Sequence, residues 1–253
     1  MKTIPVFHKM NLILFLVILF NSFNFNAQSF EGSWQLVELN DEKITDREVI
    51  KIVTDGYFAL GSKSVEDNSF LGAAGGEFKI KGESLIEKRD FDTYDDGKIG
   101  KAIEYQLNWI DNQTLEIANE HHRKVWKKLN TNKDDLKGNW VITGRQRDGN
   151  LNTMKPGDRR TIKILAGGRF QWVAFNSAEK TFNGTGAGTY SAKNGKYQEN
   201  ILLFSRDKDR VGDALSFEYE VIKGEWHHKG NSSKGQPIYE IWSPYSKAYP
   251  TDF

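Results

Sequence analysis

Gly138-Asn139-Trp140 repeats Gly32-Ser33-Trp34, 106 residues later in the chain. Each Gly-x-Trp opens a run that reads as a β-strand, and each is followed by the same order of strands and turns. The chain therefore reads as one domain made twice.

In the first copy, alternating apolar residues and turn dipeptides predict strands at Ser33 to Leu39, Glu48 to Val53, Tyr57 to Lys63, Gly76 to Ile80, Ser84 to Phe91, Lys101 to Ile110, Thr114 to Ala118 and Arg123 to Leu129. In the second they fall at Trp140 to Arg147, Arg159 to Leu165, Arg169 to Phe175, Gly188 to Ser191, Glu199 to Arg206, Ala214 to Ile222, Glu225 to His228 and Pro237 to Trp242. The turns match in order: Asp55-Gly56 with Gly167-Gly168, Lys81-Gly82 with Asn194-Gly195, and Asp111-Asn112 with Lys223-Gly224. Gly and Asn supply the positive φ that tight hairpins need.

At an offset of 112, Ile50 and Ile52 match Ile162 and Ile164, and Phe58 and Leu60 match Phe170 and Trp172. Ile103, Tyr105, Leu107 and Trp109 likewise match Leu215, Phe217, Tyr219 and Val221. Successive side chains on a strand point to opposite faces, so these residues are expected to share an inner face. Their neighbours Glu104, Gln106, Asn108, Ser216, Glu218 and Glu220 are polar. A sheet wet outside, apolar inside and linked by hairpins closes into a barrel without an open edge. The expected fold is all-β, two tandem eight-stranded antiparallel up-and-down barrels.

Gly-x-Trp before such a pattern resembles the lipocalin-like, or calycin, barrels. The second copy is also similar to a family of secreted bacterial lipocalin-like domains of unestablished function. It is so through Arg160 to Ile164, Gly168 to Phe175, Gly184 to Tyr190, Phe204 to Asp207, Gly224 to His228 and Ile238 to Trp242. The resemblance implies that Trp34 and Trp140 plug the closed ends of the barrels. Lipocalins often lay an Arg of the last strand over that Trp. The second copy has Glu240 and Trp242 in that region, and the first has Arg123 and Lys124.

Residues 1–27 read as a secretory signal peptide: Lys2 and Lys9, the apolar run Leu12 to Phe20, then a polar stretch ending at Ala27. The run is far short of the roughly 20 residues that span a bilayer. Barrel one is expected over 28–129, a polar linker over 130–137, and barrel two over 138–253 with an aromatic tail carrying Tyr245, Tyr249 and Phe253. The loops Val65 to Gly75 and Gly149 to Asp158, carrying Phe70, Met154 and Pro156, are read as surface connections or lids over the barrel mouths. There is no cysteine, so neither disulfides nor a thiol nucleophile are available. The net charge of +1 falls to about −1 without the leader, which leaves no electrostatic footprint for nucleic acid or an anionic membrane.

Phe170, Trp172, Phe217 and Tyr219, with Trp242, are the candidate ligand surface, and Arg160 and Glu240 the candidate polar contacts at its ends. An eight-stranded barrel is wide enough either to be filled by such rings or to hold one small ligand. His121-His122 and His227-His228 are read as solvent-facing or capped, because adjacent strand residues face opposite sides and cannot chelate one ion. Asp90, Asp92, Asp95 and Asp96 lack the spacing of a calcium loop. The Ser205 to Asp213 charge cluster reads as a self-neutralising web around Arg206 and Arg210, or as an anion contact. No nucleophile elbow, zincin or phosphate-loop motif occurs, and Glu218 and Glu220 alternate with the apolar face. No catalytic residue, metal or cofactor is assigned. The expected function is an exported, periplasmic or extracellular, non-catalytic protein holding a small hydrophobic or aromatic ligand, mainly in barrel two. The alternatives are an adhesion or protein-interaction module with filled barrels, and an envelope enzyme using acids at a barrel mouth.

Overall fold

The computed structural model describes residues 29–130, 134–232 and 235–250. The expected leader, 1–27, lies outside them. Barrel one comprises β1 (Gly32–Leu39), β2 (Glu42–Lys43), β3 (Arg47–Thr54), β4 (Tyr57–Ser64), β5 (Phe70–Lys81), β6 (Ser84–Asp92), β7 (Ala102–Asp111), β8 (Thr114–Ala118) and β9 (Arg123–Asn130). Barrel two comprises β10 (Gly138–Arg147), β11 (Asn150–Thr153), β12 (Arg159–Ala166), β13 (Arg169–Asn176), β14 (Thr181–Lys193), β15 (Lys196–Phe204), β16 (Ala214–Ile222), β17 (Glu225–Asn231) and β18 (Pro237–Pro244). A short helix, α1 (Tyr245–Ala248), follows. Each half is an antiparallel meander closed by pairing of its first and last long strands, β1 with β9 and β10 with β18. The short β2 and β11 only extend the edge of the opening strand.

Three clusters of buried side chains hold the molecule, one inside each barrel and one between them. The middle cluster overturns part of the sequence reading. Ile50, Ile52, Ile162 and Ile164 face outward and pack barrel against barrel, with Phe91, Val173 and Phe175. The inward residues of β3 and β12 are Val49, Lys51 and Val53, and Lys163 and Leu165. Both faces of these strands are buried, so the apolar alternation could not tell in from out. Val221, expected inside, is exposed because β16 runs past the core into its hairpin.

The inter-barrel contact is reciprocal. Ser33 Oγ donates to the Gly167 carbonyl at 3.0 Å, and the equivalent pair with the copies exchanged, Asn139 N to Asp55 Oδ2, is 3.1 Å. Phe70 and Phe182, also equivalent, stack within 2° of parallel at 5.7 Å. Such exchange of partners is the signature of an isologous, two-fold interface. It also explains two loops that are strands instead. Phe70 to Gly75 and Thr181 to Ala187 are paired in β5 and β14, with Ala73 and Ala74 fully buried. Phe70 is thus an interface residue, not a lid. Asn150 to Thr153, in the other loop, forms β11 while Met154 stays exposed.

Tyr245 and Tyr249 of the aromatic tail join this interface, and Phe253 lies outside the described residues. Asp90 Oδ2 accepts from Tyr57 at 2.9 Å, Arg160 at 3.0 Å and Tyr245 at 3.1 Å. Tyr245 lies 4.9 Å from both the Tyr57 and Tyr249 rings. Among the described residues no helix is long and apolar enough to cross a membrane.

Candidate functional site

Hairpin turns at Gly167, Asn194 and Lys223 gather at one end of barrel two, where Trp140 opens β10. The Trp140 indole N–H donates to the Leu136 carbonyl at 2.9 Å, as Trp34 does to Phe30 in barrel one. Leu136, in the stretch expected as linker, is fully buried beneath it. Tyr190 and Tyr219 reach Asp134 and Asp135 at the same end. In barrel one the cation over the Trp is Lys128, 4.8 Å from the Trp34 ring, rather than Arg123 or Lys124. Its β18 counterpart is Pro244, by the pairings of Trp34 with Lys128 and Trp140 with Pro244.

The middle of each barrel holds a buried ion pair that the sequence reading did not pick out. Lys163 Nζ lies 2.7 Å from Glu199 Oε1, which also accepts from Tyr197 at 2.7 Å. Lys51 and Glu87 pair at the equivalent positions of barrel one, and Arg89 joins them at 2.8 Å from Glu87. Burial pushes the Glu87 carboxyl up, but Lys51 and Arg89 outweigh it and hold the group below the usual carboxylate range. Lys163 sits among the Phe170, Tyr197, Trp226 and Trp242 rings at 5.3 to 5.8 Å. Charged residues in alternating strands read as solvent-facing. The signal that marks these is their recurrence, Lys51 with Lys163 and Glu87 with Glu199, at the offset of the core residues.

Higher in barrel two, Glu240 accepts from Arg145 at 2.6 and 3.0 Å and from the Trp242 indole at 3.1 Å, and lies 3.4 Å from His228 Nδ1. Burial raises its pKa, yet the hydrogen bond from His228 and the charges of Arg145 and Lys163 bring it down to about 2. His228 is buried against Phe217 at 4.2 Å, and burial lowers its pKa, so it is neutral at pH 7. Its Nε2 and the Trp226 indole nitrogen have no protein partner. His227 faces the other way, 2.7 Å from Tyr239. Among the described residues no three His, Asp or Glu side chains converge as a metal ion requires.

Above Glu240 the barrel opens into a cavity of about 1000 Å³. Phe204 and Ile238 line its apolar side, and Arg145, Arg206 and Arg210 its polar side. Arg210 lies 4.6 Å over the Phe204 ring and 3.3 Å from Asp213, and Arg206 donates to the Asn183 carbonyl at 2.8 Å. Trp172, half-buried, meets Phe204 edge-on at 5.7 Å. Of the residues picked from sequence, Phe170, Phe217, Tyr219, Trp242 and Glu240 are buried together inside barrel two, and Trp172 stands near its mouth. Arg160 is elsewhere, between the barrels. The acidic turn is internally satisfied: Asp92 and Asp95 accept from backbone amides, and Asp90 belongs to the interface.

No known protein family matches the sequence, and no curated protein does. Among solved structures, the chain is similar to a lipocalin-like protein from Bacteroides uniformis, at 18% identity over 39% of this chain and 97% of that one, with a TM-score of 0.32. It is also similar to the Cpx pathway activator NlpE from Escherichia coli, at 11% identity over 85% and 92% of the two chains, with a TM-score of 0.23. By its own strand order and its two closures, the chain folds as two tandem eight-stranded antiparallel barrels of lipocalin-like topology.

Proposed function

We propose that this is an exported, non-catalytic binding protein that holds a small apolar or aromatic ligand at the mouth of its second barrel. The observation that carries this reading is the open cavity of about 1000 Å³ above Glu240, a volume at the upper end of small-molecule sites. The ligand would rest against Trp172, Phe204 and Ile238. The Trp242 ring, which donates to Glu240, would lie beneath it and Glu240 would be the polar contact, with Phe170, Phe217 and Tyr219 packed deeper in the barrel. Each ring covered by the ligand contributes on the order of a few kcal/mol before ordering costs are subtracted. Trp34 and Trp140 are read as the plugs of the opposite ends. The leader-like 1–27 supports export to the periplasm or beyond, with 28–129 and 138–253 as the two barrel domains.

Native mass spectrometry of residues 28–253 purified from the protein's own host tests the reading. A co-purifying small molecule lost in Trp172→Ala is the expected result. A clean protein mass, with no binding across lipids, haem and aromatic compounds, would sink it. A second reading, docking of a protein or glycan on the outside of barrel two, is favoured by two adjoining grooves of about 970 and 440 Å³. They share Lys196, Glu218, Lys229 and Tyr239.

A further inference from the structure

One outer face of barrel two departs from its counterpart in barrel one. Arg145 pairs with Glu240 as Leu39 pairs with Lys124, so Tyr239 stands where barrel one has Arg123. His228 pairs with Glu240 as Ile117 pairs with Lys124, so His227 stands where barrel one has Glu116. Gly144, opposite Ile241, stands where barrel one has Glu38, opposite Val125.

In barrel one this face is closed by charge. Arg123 lies 2.7 Å from Glu116 and 3.0 Å from Asp41, and it also pairs with Glu38. In barrel two His227 Nδ1 lies 2.7 Å from the Tyr239 hydroxyl and holds the half-buried ring in place. Glycine at 144 offers no side chain to close over that ring. Grooves of about 970 and 440 Å³ meet at Tyr239 instead. Together they follow β16 from Ser216 to Ile222, about 20 Å at the rise of a strand.

The chemistry of the groove favours a neutral, hydroxylated ligand. Lys196 and Lys229 are matched by Glu218 and Glu220, and Glu218 lies 3.6 Å from the first lysine and 3.7 Å from the second. These side chains are exposed, as are the amides of Gln146 and Asn231. A charged polymer gains little from a surface whose charges cancel. A protein partner needs a cluster of buried anchors, whereas this groove centres on one ring. A sugar presents an apolar C–H face that suits a single aromatic ring, and a rim of hydroxyls that suits carboxylate, ammonium and amide groups.

We propose that this outer groove of barrel two binds a neutral oligosaccharide, stacked on Tyr239 and hydrogen-bonded by Lys196, Glu218, Lys229 and Gln146. The assignment rests on the outer-face reading above and is independent of what occupies the barrel mouth.

The test is native gel electrophoresis of the full chain through hydroxyethyl cellulose, laminarin, galactomannan or amylopectin, with polygalacturonate as the anionic control. The expected result is retardation by at least one neutral polymer, reversed by the matching free oligosaccharide and absent with polygalacturonate. Tyr239→Ala should weaken binding on the order of tenfold or more, as loss of an aromatic anchor does. Tyr239→Phe, which keeps the ring, should retain most of it, and Trp172→Ala at the barrel mouth should change nothing. Lys196→Ala alters only an exposed side chain and should weaken binding several-fold, so the site stays testable if Tyr239→Ala fails to fold. No retardation by any neutral polymer overturns the proposal, as does retardation that neither Tyr239→Ala nor Lys196→Ala weakens. Retardation by polygalacturonate alone, abolished in Tyr239→Ala, overturns it while leaving a docking surface. Capture of a host protein by the wild type and not by Tyr239→Ala, with no gel retardation, overturns it in favour of protein docking. The absence of both capture and retardation sinks the outer-face reading as well.

Discussion

Glu240 gathers Arg145, Trp242 and His228 on one buried carboxylate, and its low pKa makes that arrangement a stability term. The ordinary value is 4.5 and the folded value about 2. The stabilisation is therefore fully present above pH 4.5 and is lost as pH falls toward 2. At roughly 1.4 kcal/mol per unit it amounts to about 3 kcal/mol. Glu240→Gln is expected to lower the urea midpoint at pH 7 and to flatten the dependence between pH 4.5 and 2. Lys124 has the opposite sign. Its folded pKa of about 8 lies below the ordinary 10.5, so the cost of burying its charge is full below pH 8 and fades as pH rises to 10.5. Lys124→Met is expected to raise the midpoint at pH 7 and to lose that rise, as measured by urea unfolding at pH 7 and pH 10.

At the scale of strands, the repeat is kept by matched bulges. The register of β5 against β6 shifts between Gly75 and Gly76, and that of β14 against β15 between Ala187 and Gly188. A Cβ on Gly76 would sit 1.9 Å from the Lys88 carbonyl, and one on Gly188 1.9 Å from that of Asn200. Both obstacles are backbone, so the strands must separate. Gly76→Ala and Gly188→Ala are each expected to cost about 1–3 kcal/mol, while Gly157→Ala, with nothing within 4 Å, should leave the thermal midpoint unchanged. Bulges let a closing sheet bend, so these glycines set the barrel's curvature.

For the molecule as a whole, the packed interface argues that the barrels unfold together. Phe175 is fully buried 5.0 Å from Phe91 of barrel one, with Arg160 5.8 Å over its ring. Phe175→Ala removes a ring from that contact, at a cost of about 3–5 kcal/mol. Calorimetry is expected to show one transition in the native protein and two in the variant. Two transitions in the native protein would mean that the interface does not couple the barrels.

The repeat, the strand order and the hairpin turns were legible because period-two patterning and Gly or Asn at positive φ are local properties. Gly167 and Gly168, at φ 56° and 69°, occupy the turn where Asp55 and Gly56 stand in the first copy. The rings inside barrel two were legible for the same reason. Tertiary structure decided what local patterning cannot encode. Ile52 and Ile164 lie outside their barrels because a second barrel covers them. Lys51 and Lys163 lie inside because Glu87 and Glu199 meet them there. Arg160 sits at the interface because Asp90, 70 residues away, faces it. A charge is tolerated in a barrel only when a partner from another strand neutralises it. That pairing exists only once the sheet has closed.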